Sequence, residues 1–348
     1  MNGLALTTEH WAYLHGRPAS TGELKQQPDD FIVEEQLSFA PSGEGEHLFL
    51  YIEKQNLNTG FVAQALAKHF KCKDRDVAYA GRKDKFALTR QWFSIYLPGI
   101  ISEQLATFEL PQCRVLRETR HHKKLRLGTI AANHFNLTLR ECQLQSDFEQ
   151  RLQSVMATGV PNYFGSQRFG NLHPDGRHGN LALAEELING NPIRKRDKRS
   201  MAISALRSWL FNEFVSHRVS QQCFHQAMAG DTFILSGSNS FFSEVEIDDT
   251  LVSRLQKRDI LLSAPMWGTG ALSSTADALQ FEQNIAAQHQ ILCDTLCSLG
   301  LKQERRPIQL IPEGLHFDIN KNTVKLQFSL PSGCFATSVI RELFTNIN

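Results

Sequence analysis

Strand-like patterns at both ends of this 348-residue chain enclose a long helical stretch, and that order limits the possible folds more than any other feature. Phe31–Glu35 and His47–Glu53 read as strands, rich in aromatic and branched residues. Thr89–Leu97, with Trp92, Phe93, Ile95 and Tyr96, reads the same way. Phe135–Arg140 alternates Phe135, Leu137 and Leu139 at strand period. Asn58 or Thr59 caps a helix running to about Phe70, with Val62, Leu66 and Phe70 at one-turn spacing. Ser146 and Glu149 form a capping box, opening a helix that stops before Gly159 and Pro161. From about Leu181 to Gly300 the texture turns mainly helical, in Leu181–Ile188, Ser200–Val219 and the stretch from Ser274 or Thr275 to Leu299. Strand signals return at Gln309–Ile311 and Thr323–Leu330, and Ala336–Phe344 reads as a closing helix. Connections in the first part are too short for a regular βαβ series. The class expected is α+β, with a mixed, mainly antiparallel sheet and flanking helices. One domain built from both chain ends, 1–158 with 310–348, would carry an inserted helix-rich α/β domain at 159–309.

The length suits two domains. Hydrophobic residues make up 41% and charged residues 21%, ordinary for a globular protein. No stretch approaches the ~20 apolar residues that span a bilayer. The start of the chain lacks a basic segment and a long apolar run, so no signal peptide is expected. The seven cysteines include no CxxC pair. Reduced thiols in a cytoplasmic protein are expected, rather than a disulfide framework or a zinc site. Cys293 and Cys297 share a helix face, as buried structural thiols would.

The net charge of +1 does not advertise a nucleic-acid partner; its distribution says more. Arg114, Arg117, Arg120, Lys123, Lys124 and Arg126 face only Glu118 as an opposing charge. Arg194, Lys195, Arg196, Lys198 and Arg199 face only Asp197. Such stripes track a phosphate backbone, or else are solvated loops.

The run Ala80-Gly81-Arg82-Lys83-Asp84-Lys85-Phe86-Ala87 follows a strand-like stretch, Asp76–Ala80. It sets one carboxylate between two lysines. A cation within a few ångströms favours the ionised form of a carboxylate. An ionised Asp can act as nucleophile or base at neutral pH. A solvated turn is the plain alternative.

Four further segments stand out. They are Gly22-Glu23-Leu24-Lys25 with Pro28–Glu35; Leu125-Arg126-Leu127-Gly128 with Asn133-His134-Phe135; Val160–Gly170, containing Asn162-Tyr163-Phe164-Gly165-Ser166-Gln167-Arg168-Phe169-Gly170; and Leu330–Glu342. With the Asp84 turn, these segments resemble the pseudouridine synthase D (TruD) family of tRNA modification enzymes, over nearly the whole chain and in the family's order.

The resemblance implies a pseudouridine synthase catalytic domain with an inserted family-specific TRUD domain. It implies an isomerase that converts uridine 13 of tRNA to pseudouridine, with no cofactor and no metal. Asp84 matches the family's catalytic aspartate and Lys25 the lysine expected to pair with it. Whether Asp84 attacks sugar or base, or removes a ribose proton, stays open at this level. Lys83 and Lys85 would point away from Asp84, toward phosphates or solvent. Asn133 matches a nucleotide-contacting residue, and an amide offers both donor and acceptor. Phe135 matches an aromatic that packs on the flipped base; Phe31 and Phe335 match aromatics lining the same pocket. Asn162, Gln167 and Arg168 would contact RNA or lock the two domains together. Arg120, Lys123, Lys124 and Arg126, with Arg196 and Lys198, would meet tRNA phosphates. The expected partner is tRNA, with no membrane and no obligate protein partner, for a monomeric protein.

Two competing readings remain. A non-catalytic RNA-binding module would keep the basic stripes without needing Asp84. An Asp-dependent hydrolase would need a second carboxylate or a metal cluster, for which Asp29, Asp30, Glu34 and Glu35 are the candidates.

Overall fold

A computed structural model of the protein describes residues 6–99, 107–173, 176–238 and 240–345; Met1–Ala5, part of the stretch read for a leader, lie outside them. Two compact units emerge. One comprises Pro18–Met156, Pro312–Ala336 and Leu343–Asn348, the other Met1–Arg17, Ala157–Ile311 and Thr337–Glu342.

In chain order the strands are β1 (Thr21–Leu24), β2 (Phe31–Leu37), β3 (His47–Gln55), β4 (Val77–Tyr79), β5 (Leu88–Tyr96), β6 (Cys113–His121), β7 (Ile130–Gln143), β8 (Val160–Pro161), β9 (Asp231–Leu235), β10 (Phe241–Glu244), β11 (Ile260–Met266), β12 (Glu304–Pro307), β13 (Gln309–Leu310), β14 (Glu313–Asn320) and β15 (Thr323–Pro331). The first unit is built on a nine-stranded sheet, in the order β14-β15-β7-β2-β5-β3-β6, with β1 beside β7 and β4 beside β5. Among the described strand pairings of this sheet, only β2–β5 is parallel. The sheet is therefore mixed and mainly antiparallel, as the patterning predicts.

Strand alternation explains the core. Leu48, Leu50 and Ile52 of β3 and Phe93 and Ile95 of β5 pack against Val62, Leu66 and Phe70, from the helix Thr59–His69 and its C-cap. Each fully buried aliphatic or aromatic side chain contributes about 1.5–3 kcal/mol. Toward one end of the same sheet face the pattern changes from apolar to polar. Glu35, Lys54, Thr89 and Gln91 take core-facing positions there and are all buried.

The second unit contains a four-stranded sheet, β10-β9-β11-β12, and the small pair β13-β8. Its longest helix, Arg196–Ser220, buries Ala202, Leu206, Leu210 and Phe214 along one stripe. The strands β9–β11 fall inside a stretch whose sequence reads as mainly helical. Thr232, Phe233 and Ile234 of β9 are buried in succession, so both faces are covered and no period-2 alternation marks the strand. The single helix read to Leu299 is two, Ala276–Gln288 and Gln290–Ser298, because His289 leaves helical geometry (φ −121°, ψ 31°). In the first unit, the basic stretch Arg114–Arg120 belongs to the edge strand β6 rather than to a loop.

Candidate active site

Asp84 lies between β4 and β5, with 29% of its side chain open to solvent. Its Oδ2 accepts a 3.0 Å hydrogen bond from Lys25 Nζ. Lys25 follows β1 directly and holds a left-handed backbone (φ +65°). That conformation is disfavoured for a residue with a Cβ. The same ammonium sits 4.0 Å from the Phe31 ring centroid. Phe31 in turn meets Phe135 edge-on, with centroids 6.1 Å apart, and Phe135 stacks on Phe328 at 5.5 Å. A continuous chain of contacts thus joins Asp84, Lys25, Phe31 and Phe135.

Register places Asn133 beside them. Val33 opposes Phe135 and Glu35 opposes Asn133 across β2–β7, while Asn133 opposes Leu330 across β7–β15. Asn133 and Phe135 are two residues apart on one strand, so both point to the same sheet face. Asn133 is 9% exposed, and its buried Oδ1 accepts no hydrogen bond. Phe335 lies half-buried just past the end of β15, at the start of the helix Ala336–Leu343.

The turn that carries Asp84 is gripped from inside the sheet. Gln91 Nε2 donates to Gly81 O at 3.1 Å, and Lys83 N donates to Thr59 Oγ1 at 3.0 Å. Thr59 Oγ1 itself donates to Gln91 Oε1 at 2.9 Å. Lys54 Nζ donates to Asp84 O at 3.0 Å and to Leu57 O at 2.8 Å. Burial drives the Lys54 pKa down to about 8; the Asp84 charge pulls against that shift and the Lys83 charge adds to it.

Lys83 does not point to phosphate or solvent, as the sequence suggests. Its Nζ forms a 2.8 Å ion pair with Glu35 Oε2, and both side chains are buried. The expectation failed because β2 presents a carboxylate at a core-facing position next to the turn. Burial raises the Glu35 pKa, and the Lys83 charge opposes it. Sequence reading also misses Lys54 and Gln91, and reads Thr59 only as a helix cap. A signal was there: Lys54 continues the series Leu48, Leu50, Ile52, and Gln91 stands between Thr89 and Phe93, each at a position where alternation demands an apolar side chain.

The carboxylates named for the hydrolase reading have other partners. Asp30 holds the Arg140 guanidinium at 2.9 Å. Glu34 pairs with Arg90, and Asp29 accepts from Gln55 at 3.3 Å. Among the described residues, no group of three His, Cys, Asp or Glu side chains could hold a metal ion. None of the described helices is long and apolar enough to cross a membrane.

Among the basic residues, Lys123, Lys124 and Arg126 are exposed beyond β6, with Lys124 also donating to Arg75 O. The Arg120 guanidinium bonds to the carbonyls of Gly45, Leu97 and Gly99 at 2.7–3.0 Å, tying the edge strand to its neighbours. In the second unit, Arg196 and Lys198 are exposed in the first turn of the helix Arg196–Ser220. Arg168 is half-buried, donates to Ser204 Oγ at 2.8 Å and lies over the Phe164 ring. Asn162 is buried, donates to Pro307 O and accepts from Arg306 Nη2, both at 2.9 Å, so it cross-links segments within its own unit. Gln167 is exposed. The glycines of this segment are required: a Cβ at Gly165 would stand 2.3 Å from Thr337 Oγ1, and Gly170 has φ +89°.

The sequence profile of the tRNA pseudouridine synthase D (TruD) family matches residues 8–192 and 193–343. The chain belongs to the TruD family. Family relatives named tRNA pseudouridine synthase D include one from Pseudoalteromonas atlantica, 48% identical over 96% of this chain and 95% of the relative. Another, from Shewanella oneidensis, is 46% identical over 95% of this chain and 88% of its own length. A crystal structure from Methanosarcina mazei that carries the TruD name shares the fold, with a TM-score of 0.71 over 98% of this chain and 96% of that one, at 19% identity.

Proposed function

We propose that this chain converts uridine 13 of tRNA to pseudouridine, with Asp84 as the carboxylate at the reacting nucleotide. The Asp84–Lys25 hydrogen bond, set against Phe31 and Phe135, carries this reading. The isomerisation breaks the ribose C1′–N1 bond, turns the uracil, forms a C1′–C5 bond, removes the C5 proton and protonates N1. Asp84 acts either as nucleophile or as the base for a ribose proton. The Lys25 ammonium orients it. Asn133 Oδ1 is an acceptor awaiting a donor, as a uracil N3–H or a ribose hydroxyl would supply. Phe31, Phe135 and Phe335 offer aromatic surface to the base, and each stacked base gains roughly 1–3 kcal/mol. Extruding the uridine costs a few kcal/mol by comparison. Lys123, Lys124, Arg126, Arg196 and Lys198 hold phosphates, which positions the RNA without reading its sequence.

In this reading residues 1–158 and 310–348 form the catalytic domain and 159–309 the inserted TRUD domain. The protein acts as a cytoplasmic monomer without a cofactor. The test is a pseudouridine map of unmodified tRNA transcripts treated with the parent protein or with Asp84→Asn. Pseudouridine at position 13 from the parent alone is the expected result. Product from both proteins would remove Asp84 from the chemistry, and product at another position would overturn the site assignment.

A further inference from the structure

We propose that Lys54 is a positioning residue for Asp84, holding from inside the sheet the backbone that carries the reacting carboxylate. This rests on the reading of Asp84 given above. Lys54 is the penultimate residue of β3 and is 0% exposed. Its ammonium donates to two main-chain carbonyls, Asp84 O at 3.0 Å and Leu57 O at 2.8 Å.

Stability alone gives no reason for a cation here. Leu48, Leu50 and Ile52 occupy the equivalent positions along the same strand, and a further apolar side chain would continue that core. Burying an ammonium against neutral carbonyls is costly, and a neutral donor could satisfy the same two carbonyls. What the charge does provide is a fixed point under Asp84. It also couples two loops, because Leu57 immediately precedes the cap of the helix Thr59–His69. Thr59, the first residue of that helix, holds Lys83 N, and Gln91 holds both Thr59 and Gly81 O. The turn is thus fixed at Gly81, Lys83 and Asp84, while the Asp84 side chain keeps 29% of its surface exposed. Loss of the Lys54 anchor releases the Asp84 carbonyl from this cradle. The electrostatics agree: the Asp84 charge is close enough to act on the Lys54 ammonium.

Lys54→Met is the deciding variant, because it keeps the length of the side chain and removes the charge and the donors. Misplacing a reacting group by about 1 Å costs on the order of 100-fold in rate. The expected result is a kcat lowered by roughly 100-fold, with KM and tRNA affinity little changed and any fall in stability no larger than two lost hydrogen bonds account for. A purely structural lysine would instead leave the folded fraction turning over at the parent rate, whatever the fall in melting temperature. That outcome overturns the proposal, as does a stable variant with parental kcat. Should Lys54→Met fail to fold, Lys54→Gln is judged by the same kcat-against-KM criterion. Asp84→Asn is assayed alongside. Inactive Asp84→Asn with fully active Lys54→Met removes only the role of Lys54. Active Asp84→Asn removes the reading on which that role rests.

Discussion

Lys83 and Glu35 form a 2.8 Å ion pair in which the lysine side chain is 7% exposed and the glutamate 0%. Glu35 Oε1 also accepts from Trp92 N at 3.2 Å, so the carboxylate joins the Asp84 turn to two strands. Removing one partner of a buried pair leaves an uncompensated charge and costs roughly 3–5 kcal/mol, whereas removing both is often near neutral. Glu35→Leu and Lys83→Met are each expected to destabilise strongly, and the double variant is expected to be more stable than either. Urea unfolding of the three proteins measures this. Simple additivity of the two losses would mean that the pair is not coupled.

Asn133 sets stability against function. Its buried Oδ1 has no acceptor role in the free protein, and an unsatisfied buried polar group costs roughly 1–3 kcal/mol. Asn133→Leu should therefore leave unfolding free energy unchanged or slightly raised, while pseudouridine formation falls by at least about tenfold, the equivalent of ~1.4 kcal/mol of lost transition-state binding. Melting curves and kcat/KM on one tRNA transcript decide it. A large stability loss with normal turnover would make Asn133 a framework residue.

Lys25 poses the converse case. Its pair with Asp84 is partly open to water, at 22% and 29% side-chain exposure, so its worth to folding is small. A hydrogen bond to a charged group is worth roughly 1.5–3 kcal/mol where it matters for the reaction, or about 10–150-fold in rate. Lys25→Met is expected to lose kcat in that range with a near-parental melting temperature. Retained kcat would reduce Lys25 to a surface residue packed on Phe31.

The reasons these residues were or were not legible in the sequence are physical. The Asp84 turn stands out in the sequence, Lys25 and the aromatics through the family resemblance, and the strands through the alternation of β7 and the aromatic and branched residues of β3 and β5. The cradle beneath Asp84 does not stand out, because Lys54, Gln91 and Glu35 come from separate strands that meet by pairing, and Thr59 joins them from the start of a helix. Arg120 shows a second limit of the sequence. A basic stripe read along the chain does not show which guanidinium turns inward to carbonyls and which stays in water. Nor could periodicity find β9, whose residues are covered on both faces.

Exposed Lys123 and Arg126 give a prediction about salt. Each phosphate that is no longer neutralised should reduce the slope of log affinity against log salt by about 1 and weaken binding similarly for all tRNA sequences. Lys123→Ala and Arg126→Ala are expected to do so, with unfolding free energies within about 0.5 kcal/mol of the parent. Filter binding or fluorescence titration across a salt series provides the slopes. Unchanged slopes would place the RNA elsewhere on the protein.

Lys54 gives the pH dependence its sign. Burial lowers its pKa from 10.5 to about 8, with Asp84 and Cys113 opposing the shift and Lys83 reinforcing it. Below pH 8 both folded and unfolded chains hold the proton, and the full cost of the buried charge is present. Between about pH 8 and pH 10.5 the unfolded chain binds more protons than the folded one, so this group's contribution to stability rises with pH. A pKa difference of one between the two states corresponds to about 1.36 kcal/mol, so the change across that window is ~3 kcal/mol. Lys54→Met lacks the titrating group. The unfolding free energy of the variant minus that of the parent should therefore fall by ~3 kcal/mol between neutral pH and the upper end of the window, whatever the other groups do to both proteins. Urea melts of the two proteins at matched pH values measure that difference. A difference that stays flat would show the ammonium to be as easily protonated in the folded chain as in water, and its two carbonyl partners to be sufficient compensation for burial.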